Sequence, residues 1–381
     1  MNPDDMTAEI EALQLFTDAP QFQNFGRMNE IVPSVEMPPS STPIPWPAGP
    51  AVEAPDTYDF DGKQRSFEEF FQFTETTALL MLKEGKVVYE RYALGAHPGL
   101  RWISMSAGKS FVSAMVGIAI SEGHIGGVDD PISDYIRVNP GSAYDGVSIR
   151  NVLQMSSGAR WTEEYDDPTS DVFQLSAAQT GYGSFEDVVA AMVRERNPGE
   201  LSRYNSGDTQ ALGLLIRSAT GQSVASYMQT KLCEPLGATS PSYWLSDADG
   251  VEATYYGLNM TARDFARLGE LYRNDGVFNG RQIVPSEWVR ESLTADGPHL
   301  QPGKPLVGIT YYPLGYGYQW WLPIGDRGEF TAIGVYNQFI YVDPITATVI
   351  VKLSANRRTG FIGDEGTPEN LEFMRALARQ N

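Results

Sequence analysis

The sequence predicts a mixed fold, an antiparallel sheet flanked by helices with a second, all-helical lobe. Three observations predict it. Residues 77–93, TALLMLKEGKVVYERYA, read as two strands. Residues 125–245 read as helical. Runs rich in β-branched and aromatic residues then return at 315–323 and 329–355. Strands at both ends with a helical insertion between them imply one lobe built from both chain ends. At 381 residues the chain is also too long for one core of usual size. The expected division is an N-terminal segment with a proline-rich strap at 1–56, an α/β lobe from 57–124 and 246–381, and a helical lobe at 125–245.

The strap, MPPSSTPIPWPAGPAVEAPD at 37–56, is too rich in proline for a helix and should run extended, with Trp46 packing on the body. The first two strands should turn at Glu84-Gly85-Lys86. A helix is expected from Met105 to Glu122. Phe111, Val112, Met115, Val116, Ile118 and Ile120 make it apolar almost all round, which places it centrally. Gly123 is its expected stop.

Ser148 is a candidate N-cap for the next helix, with Gly158 as punctuation after it. The segments SFEDVVAAMVRE (184–195) and DTQALGLLIRSATG (208–221) are amphipathic, and the second should end at Gly221. Thr261, followed by Asp264, resembles a capping box for the helix at 260–276. The late strands should turn at Asp343-Pro344. TPENLEFMRALARQ closes the chain as a helix with Pro368 in its first turn.

Composition excludes several functions. Lys and Arg number 28 against 48 Asp and Glu, a net charge of −20, which speaks against nucleic acid and anionic membrane as partners. The one cysteine, Cys233, permits no internal disulfide and no thiolate cluster. It reads as a small buried hydrophobe. No basic, apolar leader and no long apolar run is present, so a reducing cytoplasm is the simplest compartment. His97, His124 and His299 stand apart, without metal-ligand spacing, so neither a metal nor any other cofactor is expected. There is no Gly-x-Ser-x-Gly elbow and no phosphate loop.

WISMSAGKSF, at 102–111, carries the chemistry. Ser106 and Lys109 are three apart, so near a helix start they share a face. Burial penalises a charged lysine and makes it a better neutral base. The Ser106 N–H, unpaired at a helix start, could serve a developing oxyanion. A second element, LSRYNSGDTQALG at 201–213, places Tyr204 and Ser206 just ahead of a helix. Beside a cationic lysine, Tyr204 should ionise more easily and share the proton work. The acidic run Glu163, Glu164, Asp166, Asp167 and Asp171 reads as a solvated loop or an acidic rim.

Ser106-Ala107-Gly108-Lys109, Tyr204-Asn205-Ser206, SIRNVLQMSSG and CEPLGA together resemble the serine β-lactamase and penicillin-recognising superfamily, in its class C β-lactamase-like esterase branch. Within it, NFGRMNEIVPS, EEYDDPTSDV and the 318–354 stretch look like the 6-aminohexanoate-dimer, or nylon-oligomer, hydrolases. The resemblance implies a β-lactamase/transpeptidase-like fold and an acyl-enzyme on Ser106, with Lys109 and Tyr204 as general base and acid. It implies that Ser206 orients Lys109, that Tyr165 closes over the substrate, and that Trp320 and Trp321 line the pocket. The second oxyanion donor would be an N–H near Gln338–Phe339.

Two departures are visible. The third superfamily motif, a Lys-Thr-Gly or His-x-Gly, is replaced by Tyr336-Asn337-Gln338, so no cation faces the site. Arg-Thr-Gly at 358–360 reads as a loop. Ser176 stands where dimer hydrolases can carry an aspartate for the substrate's amino end. The sequence therefore predicts a serine hydrolase for small-molecule esters and linear amides of the aminohexanoate type, with homodimer formation open. The alternatives are a β-lactamase or D-alanyl-D-alanine carboxypeptidase, and a non-catalytic binding module of the same fold.

Overall fold

A computed structural model describes residues 3–303, 314–358 and 366–380. Seven strands form one sheet in the order Gly315–Tyr316, Trp321–Leu322, Phe330–Gly334, Gln338–Asp343, Thr348–Ser354, Thr76–Lys83, Lys86–Tyr92. Every neighbouring pair is antiparallel. The seam between the chain ends is the pairing of Thr348–Ser354 with Thr76–Lys83, which sets Ile350 opposite Met81. The hairpin at 83–86 closes as expected: Glu84 and Gly85 have φ of 50° and 71°, the conformation a two-residue loop needs to match strand twist.

Helices cover both faces. Ala262–Arg273 lies on one, where Gly269 lets it approach: a Cβ there would stand 2.7 Å from Val349 and 3.1 Å from Ile340. Phe67–Phe73 and Gly366–Ala378 cover the other, joined by stacking of Phe67 on Phe373 with ring centroids 4.0 Å apart. Burial on both faces explains why Thr76–Lys83 is a continuous apolar run, not an alternating one.

The caps fall where the sequence places them. Ser148, Ser184 and Thr261 each accept the backbone N–H three residues on. Gly123 and Gly221 stop their helices in left-handed conformations, with φ of 77° and 67°. Thr261 and Asp264 are not a reciprocal box, however. The buried Asp264 carboxylate accepts from the Thr261 hydroxyl, from the N–H groups of Thr239 and Ser240 and from Arg267, and not from the Thr261 N–H.

The strap runs extended. Its Pro47 carbonyl and Gly49 N–H bond the backbone of Val87. Trp46 Nε1 donates to the Arg263 carbonyl at 2.8 Å. Cys233 is buried, its thiol pushed up to about 12 by burial. Arg357 and Arg358 follow the last strand in a turn, and the rest of the Arg-Thr-Gly stretch lies outside the described residues.

Two features depart from expectation. The helix expected from Met105 is split: Met105–Gly108 is a 3₁₀ turn and the α-helix runs Lys109–Ser121. Met105 has φ of 47°, so the chain turns sharply just before Ser106. The second feature is a small sheet ordered Ser34–Met37, Ser242–Leu245, Leu258–Met260, Trp102–Ile103. Ser242–Leu245 closes a stretch read as helical. Its strands are two to four residues long and mostly buried, so no alternation marks them. This sheet anchors the chain immediately ahead of the Ser106 turn.

Candidate active site

The Met105–Gly108 turn aligns Ser106 and Lys109 because side chains three apart eclipse in a 3₁₀ helix. Gly108 is required where it stands: a Cβ would lie 2.7 Å from Ser104 Oγ and 3.2 Å from Leu258 Cβ. Lys109 is 2% exposed. Its Nζ lies 3.0 Å from Ser106 Oγ, 3.1 Å from Ser206 Oγ and 2.5 Å from the Tyr255 carbonyl oxygen. Burial brings its pKa down to about 8, against an opposing pull from Glu163.

Ser206 opens the Ser206–Thr220 helix, which Asn205 caps by accepting from the N–H groups of Gly207 and Asp208. Behind them, Asp208 Oδ1 accepts from Tyr144, Ser157 and Asn205, which braces the Tyr204–Ser206 segment from below. Ser206 Oγ donates to Glu163 Oε1 at 2.6 Å, and its N–H donates to Oε2 at 2.8 Å. Trp161 Nε1 and the Tyr165 hydroxyl also donate to Glu163, at 2.7 and 2.8 Å.

This arrangement fixes the direction of the amine's lone pair. The single Ser206 hydroxyl hydrogen is committed to a carboxylate, so toward Lys109 that oxygen only accepts. The Tyr255 carbonyl only accepts. A neutral Lys109 gives its two hydrogens to these acceptors, and its lone pair is left facing Ser106 Oγ.

Tyr204 stacks on Trp321 with ring centroids 5.7 Å apart, and Lys109 Nζ is 5.2 Å from its ring centre. Its hydroxyl is buried without an aligned hydrogen bond, and Ser106 is the hydrogen-bonding neighbour that acts on it. The expectation that it ionises easily is overturned. Burial, then Glu163, raises its pKa well above the phenol range.

The strand facing the nucleophile is Phe330–Gly334, not the Gln338–Phe339 stretch. A Cβ on Gly334 would lie 2.5 Å from the Ser104 carbonyl oxygen and 3.0 Å from the Ser106 nitrogen, so backbone meets backbone there. Val335 follows and lines a cavity with Met105, Ser106, Tyr165, Ser206 and Tyr255. The residues Phe330-Thr331-Ala332-Ile333-Gly334 offer no cation to the site.

The family described as beta-lactamase matches residues 67–372. A 6-aminohexanoate-dimer hydrolase of Paenarthrobacter ureafaciens is 31% identical over 341 residues, covering 87% of this chain and 84% of that one. The chain belongs to the beta-lactamase family. A candidate 6-aminohexanoate-dimer hydrolase from Bacillus anthracis superposes with a TM-score of 0.83 at 23% identity, covering 94% of each chain. A family VIII carboxylesterase superposes with a TM-score of 0.62 at 15% identity over 82% of this chain and 95% of that one. The protein is thus a beta-lactamase-fold member of a hydrolase family, related to a 6-aminohexanoate-dimer hydrolase.

In this beta-lactamase-family chain the predicted residues divide. Ser106, Lys109, Tyr204 and Ser206 come together, and Tyr165 and Ser176 line the same cavity as Ser106. Trp321 acts one layer back, as the stacking partner of Tyr204. Trp320 is fully buried between Tyr272 and Phe330 and does not reach the cavity. Gln338 spends its side chain inside the core, accepting from Trp102 Nε1 and donating to the Ser354 carbonyl. Phe339 is buried opposite Ile333 and Lys352. Tyr336 turns away, its hydroxyl accepting from the Phe16 N–H at 2.6 Å.

Tyr255 was not singled out in the sequence, and Glu163 was read only as part of a solvated acidic run, whereas its carboxylate turns in to Ser206. Glu163 sits in an acidic run beside Glu164, Asp166 and Asp167, which are exposed as expected. Only its spacing two residues ahead of Tyr165 hints at a shared site. Tyr255 contributes a backbone carbonyl, which no side-chain pattern can mark.

Proposed function

We propose that the protein is a serine hydrolase acting through an acyl-enzyme on small carboxylic esters, with linear aminohexanoate-type amides as secondary substrates. The observation that carries this reading is the Lys109 amine, buried and tied on two sides so that its lone pair can point only at Ser106 Oγ. In the proposed cycle, neutral Lys109 takes the Ser106 proton as the oxygen attacks the substrate carbonyl carbon. The oxyanion is held by the N–H groups of Ser106 and Val335. Tyr204 gives its proton to the leaving group and recovers one from the Lys109 ammonium. Water then attacks the acyl carbon and loses its proton to the same pair, which returns it to Ser106 Oγ as the acid departs.

Esters are placed first because Ser176, unlike a carboxylate, offers an amino end no countercharge. A β-lactam or peptide carboxylate would find no cation on the Phe330–Gly334 strand. The test is intact-mass analysis after an alkyl fluorophosphonate, with hydrolysis of nitrophenyl esters, nitrocefin and the linear aminohexanoate dimer run alongside. A single adduct on wild type, none on Ser106→Ala, and turnover of esters above the other two are expected. An unlabelled wild type, or an adduct on another residue, overturns the reading.

A further inference from the structure

The chain's own N-terminal segment forms one wall of the cavity beside Ser106. Ile10, Leu15 and Phe16 line it opposite Val172, Phe173 and Val335, and the only polar side chains beyond the catalytic group are Ser176, Gln179 and the tyrosines. Among the described residues no charged side chain lines it. Its volume of about 80 Å³ is roughly half that of a cavity that holds one benzene, which leaves room for about three or four carbons. The same Ile10, Leu15 and Phe16 also line a second cleft of about 440 Å³, together with Thr7, Glu11 and Gln14.

Three ties hold the segment there. The Phe16 ring stacks on Tyr165, centroids 4.2 Å apart and planes within 6°. Its N–H donates to the Tyr336 hydroxyl at 2.6 Å. The Tyr182 hydroxyl donates to Asp4 at 2.5 Å. Gln14 and Phe16 sit at positive φ, 49° and 62°, so the chain bends tightly to bring the ring inward.

We propose that residues 4–16 form the wall that sets acyl specificity, restricting the enzyme to short, uncharged acyl groups. This rests on the serine hydrolase reading above. The acyl arm is assigned to this small apolar cavity because Ser106 lines it and Ile10, Leu15 and Phe16 limit its depth.

The experiment is a nitrophenyl ester series from acetate to octanoate, on wild type, Phe16→Ala and Ile10→Ala, with melting curves to confirm folding. Labelling of Ser106 by ethyl and octyl fluorophosphonates is timed in parallel. Wild type is expected to lose at least about tenfold in kcat/KM between butyrate and octanoate. Each variant should raise the octanoate-to-acetate ratio by at least about fivefold, and octyl labelling should quicken likewise. A flat wild-type series with Ser106 still labelled, or variants that leave the ratio unchanged, overturns the wall and spares the serine chemistry. Failure of Ser106 to label at all overturns both.

Discussion

Glu163 shows how much one side chain can decide. Its carboxylate takes the Ser206 hydroxyl hydrogen, and that choice forces the Lys109 lone pair onto Ser106. It also holds the Lys109 pKa up against burial. Two consequences can be measured together. Activity in wild type should rise with pH through about 8 as Lys109 loses its proton, with no alkaline fall near 10, because Tyr204 stays protonated beyond that range. In Glu163→Gln the midpoint of the rise should move to lower pH, since the charge that supports the ammonium is gone. The plateau kcat should fall about tenfold or more, because a glutamine amide can donate to Ser206 and free its hydroxyl, while KM changes little. Glu163→Asp should recover part of the loss. An unmoved midpoint, or a loss confined to KM, would contradict the role. Among predicted residues, Ser106 and Lys109 were legible because a three-residue spacing survives any tertiary arrangement, and Tyr204 because it stands with Ser206 just ahead of a helix. Glu163 was not, because nothing in an acidic run says which carboxylate turns inward.

At the level of elements, the site depends on two backbones meeting. The Met105–Gly108 turn and the end of Phe330–Gly334 approach so closely that only glycine fits at 334. A Cβ there would meet the backbone of Ser104 and Ser106, which cannot swing aside as a flexible side chain can. Gly334→Ala should therefore displace the nucleophile's N–H, and a kcat loss of about a hundredfold is expected in a protein that still folds. Near-normal kcat would show that the two backbones have slack. Strands and helices with strong periodicity or clear caps were readable in the sequence, as at 84–86, Ser148 and Gly221. The small sheet that anchors Trp102–Ile103 was not, since its strands are too short and too buried to alternate. Nor was it readable that the end of Phe330–Gly334 meets the backbone of Ser104 and Ser106. Register between strands is set by long-range pairing.

Across the whole molecule, two buried lysines leave a mark on stability. Lys109 has its pKa lowered to about 8 by burial, and Lys352 is lowered well below the usual range by the same cause. Lys352 lies between the sheet and the Phe67–Phe73 helix, donating to Ser354 Oγ at 2.8 Å. A lysine with a depressed folded pKa binds its proton more readily when unfolded, so stability should climb with pH until the unfolded value near 10.4 is passed. Each lysine adds at most about 1.4 kcal/mol per pH unit in its window, and the Lys109 window opens near 8. Lys352→Met should flatten the climb between pH 7 and 10 and raise the melting temperature at neutral pH. Urea melts across that range check it, and an unchanged slope would show that Lys352 is charged in the folded protein.

The sequence by itself determined the sheet-and-helix architecture, the family resemblance and the serine–lysine–tyrosine set. Periodicity, capping chemistry and short spacings act locally and are written in consecutive residues. Tertiary structure alone decided which carboxylate, carbonyl and strand end surround those three, and that the N-terminal segment lines the cavity. Those contacts join residues forty or more positions apart, and burial, which sets every relevant pKa here, is a property of the packed chain.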